Sequence, residues 1–352
     1  MVRLSRAELQ EHNRARVLAA AREEFAERGY RDAKVDVIAQ RAELTRGAVY
    51  SNFPGKRALY FAVLADLVER AAVPADPQRG RDAAEALGAL ARAWVTSPAF
   101  DPLHRDFEAE VAAEEVTRRP YAQLLRLDAL LLALALEHLD PVPPPAGAPP
   151  RRAVRLAGLV LTALHGASGL AGAAPGFGEA FDLVSACERL AGLELNDWWP
   201  WPEHPPPVRA EDAPWRPPAV TDLVRGEPVT PDGDGVVVVL GLNRLAAAEG
   251  AVRAGGPVTV VMVTAAPGEL APLARLVVAR LCGCLRQAFR GDAWPAVRVV
   301  CDEAGALAAA AGVPAVSDET EVAVRVERGR VVARAEGAGA GHAVAVGARV
   351  RR

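Results

Sequence analysis

Cysteine, histidine and long uncharged apolar runs are scarce in this chain of 352 residues, and each scarcity excludes a class of protein. Four cysteines are too few for a disulfide framework at this length, and Cys282 and Cys284 are too close on one predicted helix for a relaxed bridge. The six histidines are scattered, and no Cys-x-x-Cys pair or zinc-type spacing occurs. We therefore expect a reducing compartment, no metal site and no cofactor.

The sequence also lacks a predicted membrane-spanning segment and the charge excess of a uniformly basic surface. No run of about 18 uncharged apolar residues is bounded as a membrane span would be, and the N-terminus has no apolar signal region. Residues 154–174 come nearest, but Arg155, His165 and several glycines suit a buried bundle helix better. The net charge of −3 excludes a uniformly basic surface, although residues 1–70 have a small excess of Lys and Arg. We predict a soluble cytoplasmic protein that does not enter a membrane.

Residues 34–56, KVDVIAQRAELTRGAVYSNFPGK, predict two short helices joined by a tight turn. In the second helix, Val49 and Phe53 are four residues apart and therefore share one apolar face. Thr45 precedes that helix, and its hydroxyl is suited to cap the first backbone N–H groups. The other face is cationic and rich in hydrogen-bonding groups, which suits the DNA major groove; it consists of Arg46, Gly47, Tyr50 and Ser51.

The pattern over residues 25–59 resembles the DNA-binding domain of the TetR family of transcriptional regulators, and the resemblance covers roughly residues 12–70. It implies a recognition helix that opens with Thr45, Arg46 and Gly47. The full set of predicted DNA-binding residues adds the phosphate contacts Tyr50 and Lys56, together with Lys34 and Ser51. Two positions depart from the family pattern: Lys34 replaces a capping Thr or Ser, and Glu43 replaces the turn glycine. The alternative is a helical hairpin with no role in DNA binding.

Residues 81–193 read as helices without a convincing strand, at 82–96, 101–118, 120–139, 151–173 and 179–193, with a Pro-rich loop at 141–150. The resemblance implies that the last two helices pair with their copies in a homodimer, and that this helical body binds a small-molecule effector. The candidate ligand-pocket residues are Trp94, Phe107, Tyr121 and His165, which core packing would explain equally well.

Beyond residue 196 the composition changes twice. Residues 197–234 are rich in Pro and contain tryptophans at 198, 199, 201 and 215, which predicts a linker pinned against the helical body. After residue 235, β-branched runs predict strands at 236–240, 258–263, 297–301, 321–326 and 330–335, with helices near 269–290 and 304–311. This order resembles the thioredoxin-like fold of peroxiredoxins, with Ala266 where the reactive cysteine belongs.

The sequence therefore predicts a multidomain protein, with an all-α TetR-like part followed by an α/β thioredoxin-like domain. The predicted parts are a helix-turn-helix DNA-binding domain at 1–72, a ligand-binding and dimerisation domain at 78–196, a linker at 197–234 and the α/β domain at 235–352. Two functions compete. One is an effector-responsive homodimeric repressor of a palindromic DNA operator, and the other is a thiol-dependent redox enzyme with an added helical head. Because Ala266 stands where the reactive cysteine belongs, the sequence favours the repressor. We therefore predict no catalytic residues.

Overall fold

The N-terminal head is formed by three helices, α1 (Arg6–Asp32), α2 (Val35–Arg41) and α3 (Arg46–Asn52). A computed structural model describes residues 5–72, 74–98, 101–139, 152–195, 197–199 and 204–347; the predicted loop at 141–150 and Trp201 lie outside these residues. Ser5 begins α1 with a capping box, in which Ser5 and Glu8 each accept the other's backbone N–H. Gly29 has a φ of 72°, which breaks the helical conformation at the predicted position.

The helical body begins with α4 (Lys56–Glu69), whose residues 58–65 are all buried. Its other helices are α5 (Ala83–Val95), α6 (Phe107–Ala112), α7 (Glu115–Leu139), α8 (Val154–Ala173) and α9 (Ala180–Leu190). The predicted helix at 101–118 is instead divided into a 3-10 turn, α6 and the first turn of α7. The Thr117 hydroxyl stabilises the break, because it donates to the Val111 carbonyl near the end of α6 at 2.7 Å.

Helix α8 is long and apolar enough to span a membrane by length and composition alone, but it also packs on α7 and α9. Only 22% of its apolar window is buried in this chain. The exposed large apolar residues on α8, α9 and their connection are Leu159, Leu170, Phe177 and Phe181. These two helices therefore leave an apolar face uncovered.

The C-terminal region contains a six-stranded mixed sheet with the strand order β1-β8-β7-β4-β5-β6. Strands β4, β5 and β6 are parallel, and the remaining pairs in the sheet are antiparallel. The strands are β1 (Arg209–Pro214), β4 (Gly235–Gly241), β5 (Val258–Val263), β6 (Val297–Cys301), β7 (Glu321–Glu327) and β8 (Arg330–Glu336). A further hairpin is formed by β2 (Val220–Asp222) and β3 (Glu227–Val229). The fold confirms an α/β domain, while its thioredoxin-like character stays a prediction.

Helices cover both faces of this sheet. They are α10 (Ala248–Arg253), α11 (Pro267–Ala288), α12 (Ala306–Ala310) and α13 (Ala340–Val346). Alternate valines of β4 face opposite sides: Val238 packs into the same core as the helical body, and Val239 packs against α12 and Trp215. Arg328 and Gly329 form the β7–β8 turn with φ values of 52° and 72°, as the sequence predicts.

The segment predicted as a linker is partly a structural element of the sheet. Residues 209–214 form edge strand β1, which pairs with β8, and the β2–β3 hairpin occupies residues 220–229. An edge strand tolerates proline because one side of its backbone needs no partner in the sheet. Trp215 packs in the C-terminal core, where its indole N–H donates to the Pro231 carbonyl, rather than against the helical body. The predicted boundary at residue 235 therefore falls inside the C-terminal fold.

Helix α11 does not belong to the C-terminal domain alone, because it packs against α4, α5 and α7 of the helical body. Fifteen of its 22 residues are buried. Ion pairs fasten the same junction: Arg57 on α4 contacts Glu114 at 2.7 Å and also pairs with Glu269 on α11, and Arg275 on α11 contacts Glu69 at 3.0 Å. The helical body and the C-terminal domain consequently share one hydrophobic core.

Candidate nucleic-acid interface

The exposed face of α3 is the candidate nucleic-acid interface. Thr45 adopts an extended conformation and its hydroxyl oxygen accepts the N–H of Ala48 at 3.2 Å, which confirms it as the N-cap. Val49 and Phe53 are each 1% exposed and fasten the helix to the head. The opposite face is open to solvent, since Arg46, Gly47, Tyr50 and Ser51 are all exposed.

Arg46 is held loosely at the start of this helix. Its guanidinium lies 3.2 Å from the Asp36 carboxylate and 5.5 Å from the centre of the Tyr50 ring. Both side chains of the ion pair are more than 60% exposed. Exposed ion pairs of this kind contribute about 0–1 kcal/mol, so releasing Arg46 toward a base edge costs little. Arg46 and Tyr50 therefore lie next to each other on the exposed face of α3, one turn apart.

Lysines flank the helix-turn-helix on two sides. Lys34 is exposed at the start of α2, where its backbone N–H donates to Glu24 at 3.3 Å. Lys56 is more constrained, because its ammonium donates to the Arg31 carbonyl at 2.9 Å and lies 4.7 Å from the centre of the Tyr30 ring. Partial burial lowers the pKa of Lys56. Lys56 thus joins α4 to the end of α1, and contact with a phosphate requires it to leave these partners.

Glu43 occupies the turn between α2 and α3 with a φ of 48°, in the left-handed region that favours glycine. Its carboxylate contacts Arg16 at 2.8 Å and is 85% exposed. The geometry explains why a glycine suits this position in the resembled family: a side chain here strains the backbone. The negative charge also lies beside the predicted DNA-binding face.

Replacing Glu43 with glycine is expected to raise the free energy of unfolding by about 1 kcal/mol, because the left-handed strain of a residue with a side chain disappears. Glu43→Gln is the matched control, since it removes the same charge and ion pair but keeps the strain. Both variants are expected to bind DNA more tightly, and only Glu43→Gly should be more stable in urea titrations. Equal stability of the two variants would show that the turn is unstrained.

The four candidate pocket residues come together in the interior of the helical body. The Tyr121 hydroxyl lies 3.2 Å from Nδ1 of His165, whose ring centre is 5.0 Å from that of Trp94. Phe107 closes the group, with its ring centre 5.7 Å from that of Tyr121. The sequence therefore identified side chains that belong to one cluster.

Arg280 on α11 occupies the middle of this cluster, and its role is not apparent from the sequence. Its guanidinium is 4.5 Å from the centre of the Trp94 ring, 5.9 Å from that of Phe107 and 3.2 Å from Nδ1 of His165. The residue is only 2% exposed. A helix of the C-terminal domain therefore places a cation where the sequence predicted an effector. We name this buried group the Arg280 cluster; it consists of Arg280, Trp94, Phe107, Tyr121 and His165.

Two further ionisable groups lie in the same core. Asp128 is fully buried, and its carboxylate oxygens accept no hydrogen bond within the described ranges. Burial raises the pKa of Asp128 well above its usual value, and the positive charge of Arg280 opposes this shift. Burial, followed by repulsion from Arg280, lowers the pKa of His165 well below its usual value and that of His104 to about 3. Both imidazoles are therefore neutral at pH 7.

Acid is expected to destabilise the helical body through His104. Its pKa in the folded state is depressed to about 3 from 6.5, so its contribution to stability is complete above pH 6.5 and is lost as the pH falls toward 3. Urea unfolding at pH 7, 6, 5 and 4 should show this decline. His104→Leu introduces an apolar side chain of similar size that does not titrate, and this variant should lose less stability across the same range. Parallel stability profiles for the two proteins would contradict the assignment.

The cysteines show no arrangement for thiol chemistry in the described residues. Cys187, Cys282 and Cys284 are buried and Cys301 is half-buried. Burial is the largest influence on each of them, and it raises the pKa of Cys284 and that of Cys301 to about 12. Ala266 lies at the start of α11, where the sequence predicted a missing thiol, and the segment after β4, residues 242–253, also lacks cysteine. A thiolate nucleophile is not favoured at either helix start.

Comparison with known proteins gives matches to the head. Residues 17–63 match the model of the family described as bacterial regulatory proteins, tetR family. Over 65 residues the chain is 48% identical to the HTH-type transcriptional regulator SrpR of Pseudomonas putida, covering 18% of this chain and 30% of that protein. The same identity over 65 residues relates it to the uncharacterized HTH-type transcriptional regulator TtgW, also of Pseudomonas putida, of which 48% is covered. The chain thus spans less than half the length of these relatives.

Solved structures show a broader but weaker likeness. A TetR transcriptional regulator from Rhodococcus sp. RHA1 is 22% identical, with a TM-score of 0.36 over 52% of this chain and 95% of that one. The fatty acid degradation regulator FadR from Bacillus halodurans is 18% identical, with a TM-score of 0.33 over 51% of this chain and 99% of that one. The family match at residues 17–63 contains the capped α3, so the helix-turn-helix of the head is similar to the DNA-binding domain of tetR-family regulatory proteins.

Proposed function

We propose that this chain is a transcriptional repressor that binds a palindromic operator as a homodimer and releases it when a small-molecule effector binds. The observation that carries this proposal is the outer face of α3, where Arg46 and Tyr50 are exposed on a helix fixed by buried Val49 and Phe53. A capped, rigidly packed helix with a free cationic face has the form needed to read base edges in the major groove.

The uncovered face of α8 and α9 supports the homodimer. Phe177 is 70% exposed and Phe181 is 76% exposed, and large apolar side chains grouped in this way favour a protein interface. A homodimer with twofold symmetry presents two α3 helices to two half-sites, which accounts for a palindromic operator.

The C-terminal domain is catalytically silent in this proposal. Its support is the burial of Cys187, Cys282 and Cys284 and the lack of a cysteine in residues 242–253 and 264–270. The domain instead contributes α11 to the regulator's core. This part is tested by measuring peroxide consumption, which is expected to be equally slow in the wild type and in a cysteine-free variant. A rate that depends on Cys282 or Cys301 would contradict it.

The dimer is tested by Phe181→Asp, with Val116→Asp as a control because Val116 is an exposed apolar residue on α7. Light scattering after gel filtration should give a dimer for the wild type and for the control, and a monomer for Phe181→Asp. The monomer should also lose most of its affinity for a two-half-site operator, since it holds only one recognition helix. A wild-type protein that is monomeric at micromolar concentration and still binds this operator would contradict the proposal.

A further inference from the structure

A cavity lies outside the Arg280 cluster, where the end of α4 meets the C-terminal domain. Its volume is about 550 Å³, within the range of small-molecule sites. The last turn of α4 contributes Val68 and Glu69, and α11 contributes Arg275, Ala279 and Arg286. The remaining wall comes from the β2–β3 hairpin with the two residues before it, and from the stretch between the end of β6 and the start of α12. The cavity therefore touches the helix that carries the DNA-binding head.

Arg275 bridges two sides of this cavity, the end of α4 and the segment after β6. Its guanidinium contacts Glu69 on α4 at 3.0 Å and Glu303, in the segment after β6, at 2.6 Å. Burial raises the pKa of Glu69, which the nearby Arg275 opposes. A molecule bound in the cavity would contact this bridge, which holds the last turn of α4 to α11.

The charged groups of the cavity differ in what they have already bound. Glu69 and Glu303 share Arg275, and Asp302 accepts the N–H groups of Ala306 and Ala308 at 3.1 and 2.7 Å. The Arg286 guanidinium has only carbonyl partners, at 3.1 Å to Leu223 and 2.9 Å to Val224, and no carboxylate within 4 Å among the described residues. Of the two arginines in the part of the wall that the structure describes, Arg275 is paired with carboxylates and Arg286 is not.

We infer that this cavity is an effector site for a small amphipathic carboxylate, with the carboxylate on Arg286 and the apolar part against Val68, Leu223 and Ala279. The inference rests on the proposed function, and it moves the effector away from the interior of the helical body. The Arg280 cluster already fills that interior with a side chain of the same protein. Binding beside the Glu69–Arg275 bridge shifts α4 and with it the spacing of the two heads.

The site is tested first without DNA, by titration calorimetry with three probes that share one ring system: naphthalene-1-carboxylate, 1-naphthalenemethanol and 1-naphthalenemethylamine. The carboxylate is expected to bind once per chain, at least tenfold more tightly than the alcohol or the amine. Ala306→Trp should fill the cavity and abolish binding. Ala309→Trp is the matched control, because Ala309 is an exposed alanine on the same helix that does not line the cavity.

Three results would overturn the site: no carboxylate binding at millimolar concentration, unchanged binding in Ala306→Trp, or tighter binding of the amine. Thermal unfolding confirms that both tryptophan variants are folded. Arg286→Gln should bring the affinity for the carboxylate down to that for the alcohol.

The link to regulation is then measured by fluorescence anisotropy on operator DNA. Saturating naphthalene-1-carboxylate should weaken DNA binding at least fivefold in the wild type and leave Ala306→Trp unaffected. Unchanged DNA affinity despite saturation of the cavity would overturn the effector role. A protein that binds the carboxylate but shows no operator preference would instead contradict the proposed function, because the calorimetric result does not depend on DNA.

Discussion

Removal of residues 235–352 is expected to abolish the cooperative unfolding of the helical body. The deletion takes away α11, which packs against α4, α5 and α7 and contributes eleven buried residues to their shared hydrophobic core. The core that α11 shares with these helices includes Leu59, Leu64, Leu87 and Leu90, each at most 1% exposed in the intact chain. Since a small domain is stable by only about 5–15 kcal/mol, loss of a whole core helix exceeds the available stability.

Thermal melting followed by far-ultraviolet circular dichroism checks this expectation. The truncated chain should lack the single sharp transition of the full chain, and it should aggregate or melt gradually. A milder variant of the full chain, Leu273→Ala, should remain folded and lose about 2–5 kcal/mol, whereas Leu9→Ala, at an exposed position, should change stability by less than about 0.5 kcal/mol. A soluble truncated chain with a sharp melting transition would show that α11 is dispensable for the helical body.

Arg46→Ala is expected to reduce affinity for the operator roughly 5- to 150-fold, which corresponds to about 1–3 kcal/mol for one lost base contact. Affinity for unrelated DNA should change much less, so the preference for the operator collapses. The physical reason is that Arg46 lies at the first turn of α3, where a side chain reaches a base edge and its ion pair with Asp36 is exposed.

Lys34→Ala provides the matched comparison, because Lys34 is an exposed cation at the start of α2 rather than on the recognition helix. Its loss should weaken binding to operator and unrelated DNA alike and reduce the salt slope by about one. Fluorescence anisotropy at several salt concentrations separates the two patterns. If Arg46→Ala behaved as Lys34→Ala does, Arg46 would be a phosphate contact and the assignment of base reading to it would be wrong.

Local backbone chemistry explains why the head is predictable from its sequence. Thr45 before an amphipathic segment specifies an N-cap, and Gly29 adopts the positive φ that ends a helix. Glu43 illustrates the same principle in reverse, because the residue departs from the expected glycine while the backbone keeps the glycine conformation. In each case the determining interactions lie within a few residues in the chain.

The placement of α11 was not predictable in this way. Its apolar character indicates burial, but periodicity does not specify which distant helices cover it. Arg280 illustrates the difficulty: a single arginine within an apolar helix has no local signature, and only the fold places it between Trp94 and His165. The four pocket candidates were found together because aromatic and polar side chains on neighbouring helices share an interior, while the side chain that fills their space comes from 115 residues beyond His165.

The interior of the helical body also changes how regulation is expected to work. An effector that enters the Arg280 cluster has to displace or move a cation already stacked on Trp94. The cavity at the end of α4 imposes no such requirement, and Arg275 there joins the helix bearing the head to the C-terminal domain. The proposed effector site therefore gives the α/β domain a part in regulation, through α11 and the cavity wall.

DNA recognition by α3 is tested most directly by measuring binding to the DNA upstream of this chain's own reading frame. Purified protein at physiological salt is expected to bind this DNA with a strong preference over a shuffled sequence of equal length and composition. The region that the protein protects in a DNase footprint should contain two half-sites about one helical turn apart. Equal affinity for the upstream and the shuffled DNA would contradict sequence-specific recognition.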